Sequence, residues 1–231
     1  MDQSRELEGR NVIVTGGTGA LGSAVVARLV RAGAACHVPS RREVRETMPG
    51  LHVTPGIDLT VAADVARFYG AVPDLWASVH LAGGFAMGPV DSAGADDLRR
   101  MLELNVVTTW LCAREAVAAM RRGGAGGRIV NVAARPALEP RKGARMSPYA
   151  ASKAAVAALT AALAEEVKGD HILVNAIAPS TIDSEANRKA MPKADPAKWL
   201  SPESAAEAVL MLVSPVATEI SGAVLPLYAR A

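Results

Sequence analysis

Tyr149 and Lys153 stand four residues apart in Tyr149-Ala150-Ala151-Ser152-Lys153, a spacing that puts both side chains on one face of a helix. An unperturbed tyrosine hydroxyl titrates at about 10, well above neutral pH. A neighbouring ammonium favours the phenolate, and lowering the pKa by about three units is worth about 4 kcal/mol. The pair is therefore expected to exchange a proton with a carbonyl or alcohol oxygen. Y-x-x-x-K is common by chance, so its weight depends on what precedes it in the chain.

Residues 15–22 read TGGTGALG, between a predicted strand at Asn11–Thr15 and a predicted helix at Ala20–Ala32 that Gly33 stops. The stretch fits G-x-G-x-x-G through Gly17, Gly19 and Gly22, and T-G-x-x-G-x-x-G through Gly16, Gly19 and Gly22. Glycines let the backbone approach a pyrophosphate, and the helix N-terminus offers free N–H groups and the positive end of its dipole. Gly16, Thr18, Gly19, Ala20, Leu21 and Gly22 are the expected cofactor contacts, against the alternative of a tight turn alone. A nicotinamide held there would deliver hydride while Tyr149 gives up its proton.

After the second strand the chain reads Val38-Pro39-Ser40-Arg41-Arg42, with no acid before Glu43. An acid there suits a ribose hydroxyl and a base suits a 2′-phosphate. Arg41, with Ser40 and Arg42, thus favours NADPH, with NADH possible; the competing reading is a solvated charged loop.

These residues need a scaffold that brings them to one edge. Further strands are predicted at Ala35–Val38, His52–Val53, Leu75–Leu81, Arg128–Val132, Ile172–Ile177 and Ala223–Leu227. Helices are predicted at about Thr60–Tyr69, Ala95–Arg122, Pro148–Lys168 and Pro202–Val213. This alternation predicts an α/β fold, a Rossmann-type doubly wound parallel sheet flanked by helices. With 231 residues, half of them hydrophobic, and no linker or repeat, one domain spanning 1–231 is expected.

A net charge of +2, from 25 basic and 23 acidic residues, leaves no basic stripe for a nucleic acid. Cys36 and Cys112 are lone thiols that suit a reducing compartment. The N-terminus is too polar for a signal peptide, and Ala154–Val167 is too short to span a bilayer. A soluble cytoplasmic protein without membrane attachment is expected. His37, His52, His80 and His171 lack ligand spacing, so no metal is expected.

TGGTGALG, LELNV at 102–106, RIVNV at 128–132, YAASK at 149–153 and VNAIAPS at 174–180 together resemble the successive motifs of the classical short-chain dehydrogenases/reductases. The resemblance covers nearly the whole chain and implies an NAD(P)-dependent oxidoreductase. It implies Tyr149, Lys153 and Asn105 as catalytic residues, with Asn105 holding a proton-relay water near Lys153 and the first two also touching cofactor. It implies Asp58 and Leu59 at the adenine and Ala82, Gly83 and Gly84 over the cofactor. Pro179, Ser180, Ile182 and Ser184 would hold the nicotinamide carboxamide. A homodimer or homotetramer through helices 95–122 and 148–168 and the last strand is implied as well.

Three departures stand out. His80-Leu81-Ala82-Gly83 replaces the family's N-N-A-G, and Pro179-Ser180 replaces proline-glycine. Ala134 occupies the catalytic serine's place, with Arg135, Ser147 and Ser180 as candidate stand-ins. The dihydropteridine reductase branch, which also lacks that serine, resembles this chain at Leu81-Ala82-Gly83-Gly84-Phe85 and in the 187–199 run ending at Trp199. That branch carries an acid after the second strand, which is missing here.

The expected function is hydride transfer to a carbonyl or conjugated acceptor of a small organic substrate, NADPH favoured. A dihydropteridine-reductase-like enzyme is one alternative. A non-catalytic cofactor-binding sensor or scaffold is the other, because of Ala134. Residues 181–199, with Met191 and Trp199, are expected to form a substrate lid or else a static surface loop. The basic run 139–145 would attract an anionic substrate or be a solvated turn. Phe85 and Met87 would wall the pocket or simply fill it.

Overall fold

The structure is a computed structural model that describes residues 5–44, 48–228 and 230; the remaining positions of the expected domain lie outside the described residues. Largely apolar runs form the inner strands β1 (Asn11–Thr15), β4 (Leu75–His80), β5 (Gly127–Val132) and β6 (Ile172–Pro179). β2 (Ala35–Pro39), β3 (Leu51–Thr54) and β7 (Val224–Leu227) complete a parallel sheet in the order β3-β2-β1-β4-β5-β6-β7. The order reverses between β1 and β4, which opens a crevice at the carboxyl ends of the strands.

Helices α1 (Ala20–Arg31) and α8 (Pro202–Val213) cover one face, over a core of Val12, Val14, Val38, Ala77, Val79 and Val130. Helices α2 (Ala62–Gly70), α4 (Thr108–Gly123) and α6 (Ser147–Val167) cover the other, around Ile13, Ile129, Ile172 and Val174. Both faces of the inner strands are apolar because both are covered.

The helix expected over Ala95–Arg122 is interrupted. It is α3 (Ala95–Leu102), a π-helical turn at Glu103–Val107, and then α4. The hydroxyls of Thr108 and Thr109 donate to the Leu104 and Asn105 carbonyls, each at 2.7 Å. The wide turn swings Asn105 inward to 1% exposure. Short helices α5 (Arg135–Leu138) and α7 (Glu185–Ala190) were not expected.

Between β2 and β3 no helix lies among the described residues, which uncovers the α1 side of this sheet edge. A cleft of 380 Å³ results, lined by Ala24, Ala27, Val38, Met48, Leu51 and Val53, on the opposite face of the sheet from α6.

A buried hydrogen-bond chain ties α6 to the sheet. The Tyr69 hydroxyl meets Ser78 Oγ at 2.8 Å, and Ser78 Oγ meets His80 Nε2 at 2.9 Å. His80 Nδ1 meets Asn131 Oδ1 at 2.7 Å, and Asn131 Nδ2 donates to Thr160 Oγ1 on α6 at 2.9 Å. Asn131 Oδ1 can only accept, so His80 carries its proton on Nδ1, and Nε2 accepts from Ser78. Burial pushes the His80 pKa down to about 4, so the ring is neutral. His80 is a core residue whose polar atoms are all satisfied. Among the described residues no helix is long and apolar enough to cross a membrane, and no three His, Cys, Asp or Glu side chains gather as metal ligands would.

Candidate active site

β1 runs straight into the glycine turn. Gly16 has φ +68°, and a Cβ there would lie 2.7 Å from Ala82 N. A Cβ on Gly22 would lie 2.0 Å from the Gly16 carbonyl oxygen, so α1 packs against the turn with no space to spare. Gly19 caps α1 without a side-chain acceptor, and the first turn carries no acid. Thr18, Gly19 and Ala20 are exposed, with Leu21 half-buried, so the first N–H groups of α1 open to an incoming anion.

Arg41 is exposed at the end of β2. Hydrogen bonds from the backbone and hydroxyl of Thr60 hold the Asp58 carboxyl below its usual range, and the Arg41 charge adds to this. The structure thus brings Arg41 within electrostatic reach of Asp58, one of the two residues expected at the adenine. The loop after β4 is fixed by Thr15, whose hydroxyl accepts from Ala82 N at 3.2 Å.

Gly83 stands where the loop meets the helices. A Cβ on it would lie 2.5 Å from Asn105 Oδ1 and 3.6 Å from Lys153 Nζ. Asn105 is fully engaged: Oδ1 accepts from Gly84 N at 2.8 Å, while Nδ2 donates to Gly84 O at 3.1 Å and to Ser152 Oγ at 2.9 Å. Ser152 in turn donates to the Tyr149 carbonyl at 2.7 Å, closing a link from the β4 loop through the π turn to α6. Lys153, 7% exposed, donates to the Val132 carbonyl at 2.7 Å. The Phe85 ring lies edge-on to Tyr149, centroids 5.0 Å apart.

The expected direction of the Tyr149 pKa is corrected here. Burial pushes it up to about 12, with no charge offsetting the desolvation. Burial likewise pulls Lys153 down to about 8. Desolvation outweighs ammonium–phenolate attraction because the ammonium turns to Val132 O. The hydroxyl is therefore in its proton-donating form throughout the neutral range.

Ala134 is buried and starts α5 from extended backbone, with no side-chain cap. Of its candidate stand-ins, Arg135 pairs with Glu139 at 3.0 Å and lies 4.6 Å over the Tyr228 ring. Ser180 donates to the Tyr228 carbonyl at 3.1 Å, and Ser147 is exposed at the start of α6. Pro179 ends β6, Ile182 bridges to Leu200, and Ser184 caps α7 by accepting from Asn187 N at 3.2 Å. Sequence reasoning missed Thr15, the Ser152 link and the Val132 carbonyl. Ser152 alone had a local signal, being three residues after Tyr149, within reach of its carbonyl.

The family model described as short chain dehydrogenase matches residues 10–195. The chain belongs to the short-chain dehydrogenase/reductase family. A 2-dehydro-3-deoxy-L-rhamnonate dehydrogenase (NAD(+)) from Sphingomonas sp. is 34% identical over 76% of this chain and 73% of its own. A galactitol 2-dehydrogenase from Rhizobium johnstonii is 32% identical over 96% of this chain and 95% of its own. A solved short-chain type dehydrogenase/reductase from Mycobacterium ulcerans superposes with a TM-score of 0.87 at 26% identity, covering 97% of this chain and 90% of that one.

As an NAD(P)-dependent short-chain dehydrogenase/reductase, the protein has a sheet edge suited to hydride chemistry. The pH dependence follows from the two shifted groups. The Lys153 ammonium is present below its value of about 8 and lost above it, while Tyr149 keeps its proton up to about 12. For reduction, kcat/KM, which reports the free enzyme, should be level below pH 8 and fall as pH rises through it. Lys153→Met should lie low and flat across that range; a limb that survives in this variant would assign the titration elsewhere.

Proposed function

We propose that this oxidoreductase reduces a small organic acceptor, a carbonyl or conjugated compound, with NADPH. The observation that carries the reading is that Lys153 and Asn105 meet beside Gly83, with Tyr149 joined to Asn105 through Ser152, at the same sheet edge as the glycine turn. The cradle fits a dinucleotide: Gly16 and Gly22 leave no room for a Cβ, and the uncapped α1 terminus faces out beside them. Thr18, Gly19, Ala20 and Leu21 would hold the pyrophosphate. Asp58 and Leu59 would meet the adenine, Ala82, Gly83 and Gly84 would lie over the cofactor, and Arg41 would meet a 2′-phosphate. Tyr149 and Lys153 would reach the nicotinamide ribose, and Pro179, Ser180, Ile182 and Ser184 its carboxamide. When bound, the cofactor supplies the hydride.

The Tyr149 hydroxyl donates its proton to the acceptor atom that gains negative charge. The Lys153 ammonium favours the phenolate left behind. Asn105 fixes Gly84 and, through Ser152, the first turn of α6; a relay water would be held beside it and Lys153. The segment 181–199, with its mostly exposed α7 and Met191, serves as the substrate lid. Exposed alanines at 154, 158, 161 and 162 on α6 and the 44% exposed Trp110 on α4 support pairing into a homodimer or homotetramer, which sedimentation velocity measures.

A dihydropteridine-reductase-like activity is the second reading. It is favoured by Ala134, which supplies no hydroxyl to polarise an isolated ketone, and by Phe85, whose ring beside Tyr149 suits a planar conjugated acceptor. The Sphingomonas relative is named for NAD(+), so the preference for NADPH rests on Arg41.

The test is oxidation of NADPH and NADH by the purified protein with quinonoid dihydropterin, quinones and simple ketones in parallel. Turnover should favour NADPH, and Arg41→Ala should weaken that preference. Ala134→Ser should raise kcat/KM on simple ketones up to about tenfold, the worth of one hydrogen bond. NADPH binding without turnover on any acceptor would overturn the reductase reading in favour of a cofactor sensor.

A further inference from the structure

Arg10, Trp76 and Arg128 meet at the N-terminal edge of the sheet, the edge opposite Tyr149. The pairing of β1 with β4 shifts there: Asn11 faces Leu75, but Val12 faces Ala77. Trp76 is the extra residue of this bulge, and bulges re-aim side chains. Its indole turns to the α8 side, where Nε1 donates to the Val213 carbonyl at 2.9 Å.

Two guanidinium groups attend this one ring, Arg10 at 3.6 Å and Arg128 at 4.8 Å from its centroid. Arg128 is 6% exposed; it donates to the Gly127 carbonyl at 3.0 Å, and its buried Nε has no partner. Among the described residues neither arginine forms an ion pair. The acids next to Arg10 in the chain are occupied: Glu8 pairs with Arg5 at 2.8 Å, and Glu6 accepts from the Ser214 hydroxyl. Burial pulls both guanidinium groups below their usual range, and the Arg10 charge adds to this at Arg128.

Two cations on one indole, one of them buried, are an unbalanced arrangement. A ring face attracts a cation but accepts none of its N–H groups in ordinary hydrogen-bond geometry, and a buried charge without a counter-ion is costly. We propose that Arg10, Trp76 and Arg128 form an anion site for a phosphate group, either the free ion or a phosphate monoester. The phosphate dianion matches the two charges that pair with no acid among the described residues, and the guanidinium fork matches its oxygens. Nothing in the hydride-transfer site uses these residues, so the site acts on the stability of this edge and leaves turnover alone.

The test uses the full chain with Trp110→Phe and Trp199→Phe, which leaves Trp76 as the sole remaining tryptophan of the three. Inorganic phosphate and glucose 6-phosphate are each titrated against potassium chloride at matched ionic strength, with Trp76 emission as the readout. A saturable change is expected, weakened at least tenfold by Arg10→Gln and by a smaller factor by Arg10→Lys, which keeps the charge but loses the fork. A monoester that binds more tightly identifies an organic phosphate as the ligand, and equal binding identifies the free ion. No saturable change would overturn the site, as would a change that Arg10→Gln leaves in place. Phosphate held only at the glycine turn would leave Trp76 silent and give that same negative result.

Discussion

Tyr149→Phe should lower turnover about a thousandfold while leaving cofactor affinity within a factor of a few. The magnitude is that of one positioned general acid, about 10²–10⁴-fold. Cofactor affinity survives because the glycine turn, the uncapped α1 terminus and Arg41 do not touch the phenol oxygen. The fold survives because the hydroxyl of Tyr149 is not a strut: its ring packs on Phe85, and its carbonyl takes the Ser152 bond, both of which phenylalanine keeps. Single-turnover rates with the acceptor found active, beside cofactor titration by fluorescence, separate the two quantities. Turnover unchanged in this variant would remove Tyr149 from the chemistry.

Gly22→Ala should be the most damaging one-carbon change in the molecule. The added Cβ would lie 2.0 Å from the Gly16 carbonyl oxygen and 2.7 Å from Gly17 Cα, both backbone atoms that no side-chain rotation can clear. Overpacking commonly costs about 1–3 kcal/mol and more where nothing yields. For a chain of this size a cost of about 3 kcal/mol corresponds to a fall in Tm of about 5–10 °C. Relief requires α1 to move away from the turn, so cofactor affinity should fall about a hundredfold. Thermal unfolding followed by circular dichroism reads the first effect and calorimetric titration the second. An alanine variant that binds as tightly as the parent would mean that the turn does not cradle the dinucleotide.

The elements read from sequence are those whose signals are local. β1 and α8 have the expected limits, and β2, β5, β6, α1 and α6 lie within two residues of theirs, because glycines and periodicity mark their ends. The π turn left no such trace. One extra residue in a helix that remains amphipathic on both sides changes no pattern visible along the chain, although it is what turns Asn105 inward. α7 did have a signal, Ser184 ahead of Glu185 and Asn187, which went unread among the prolines of that segment.

Within the candidate site, Tyr149 and Lys153 were legible from their spacing and Asn105 from the family resemblance, but the protonation of Tyr149 was not. Its sign depends on how deeply α6 buries the phenol and on where the Lys153 ammonium points, and both are set by β5 and the loop after β4. Ala134 was visible at once as a departure. That Arg135 and Ser180 are occupied with Glu139 and Tyr228 depends on contacts between residues far apart in the chain.

The chain from Tyr69 to Thr160 sets an acid limit for the whole molecule. His80 Nε2 already accepts from Ser78 and has no room for a second proton, so acid can reach the ring only by breaking that bond. The unfolded chain takes up the same proton near the ordinary histidine value of 6.5, the folded one only near 4. Stability tied to this ring is therefore complete above pH 6.5 and drains away as pH falls towards 4, by about 3 kcal/mol in all. The same neutral imidazole that fastens β4 to β5 and α6 makes this join the part of the sheet that acid loosens.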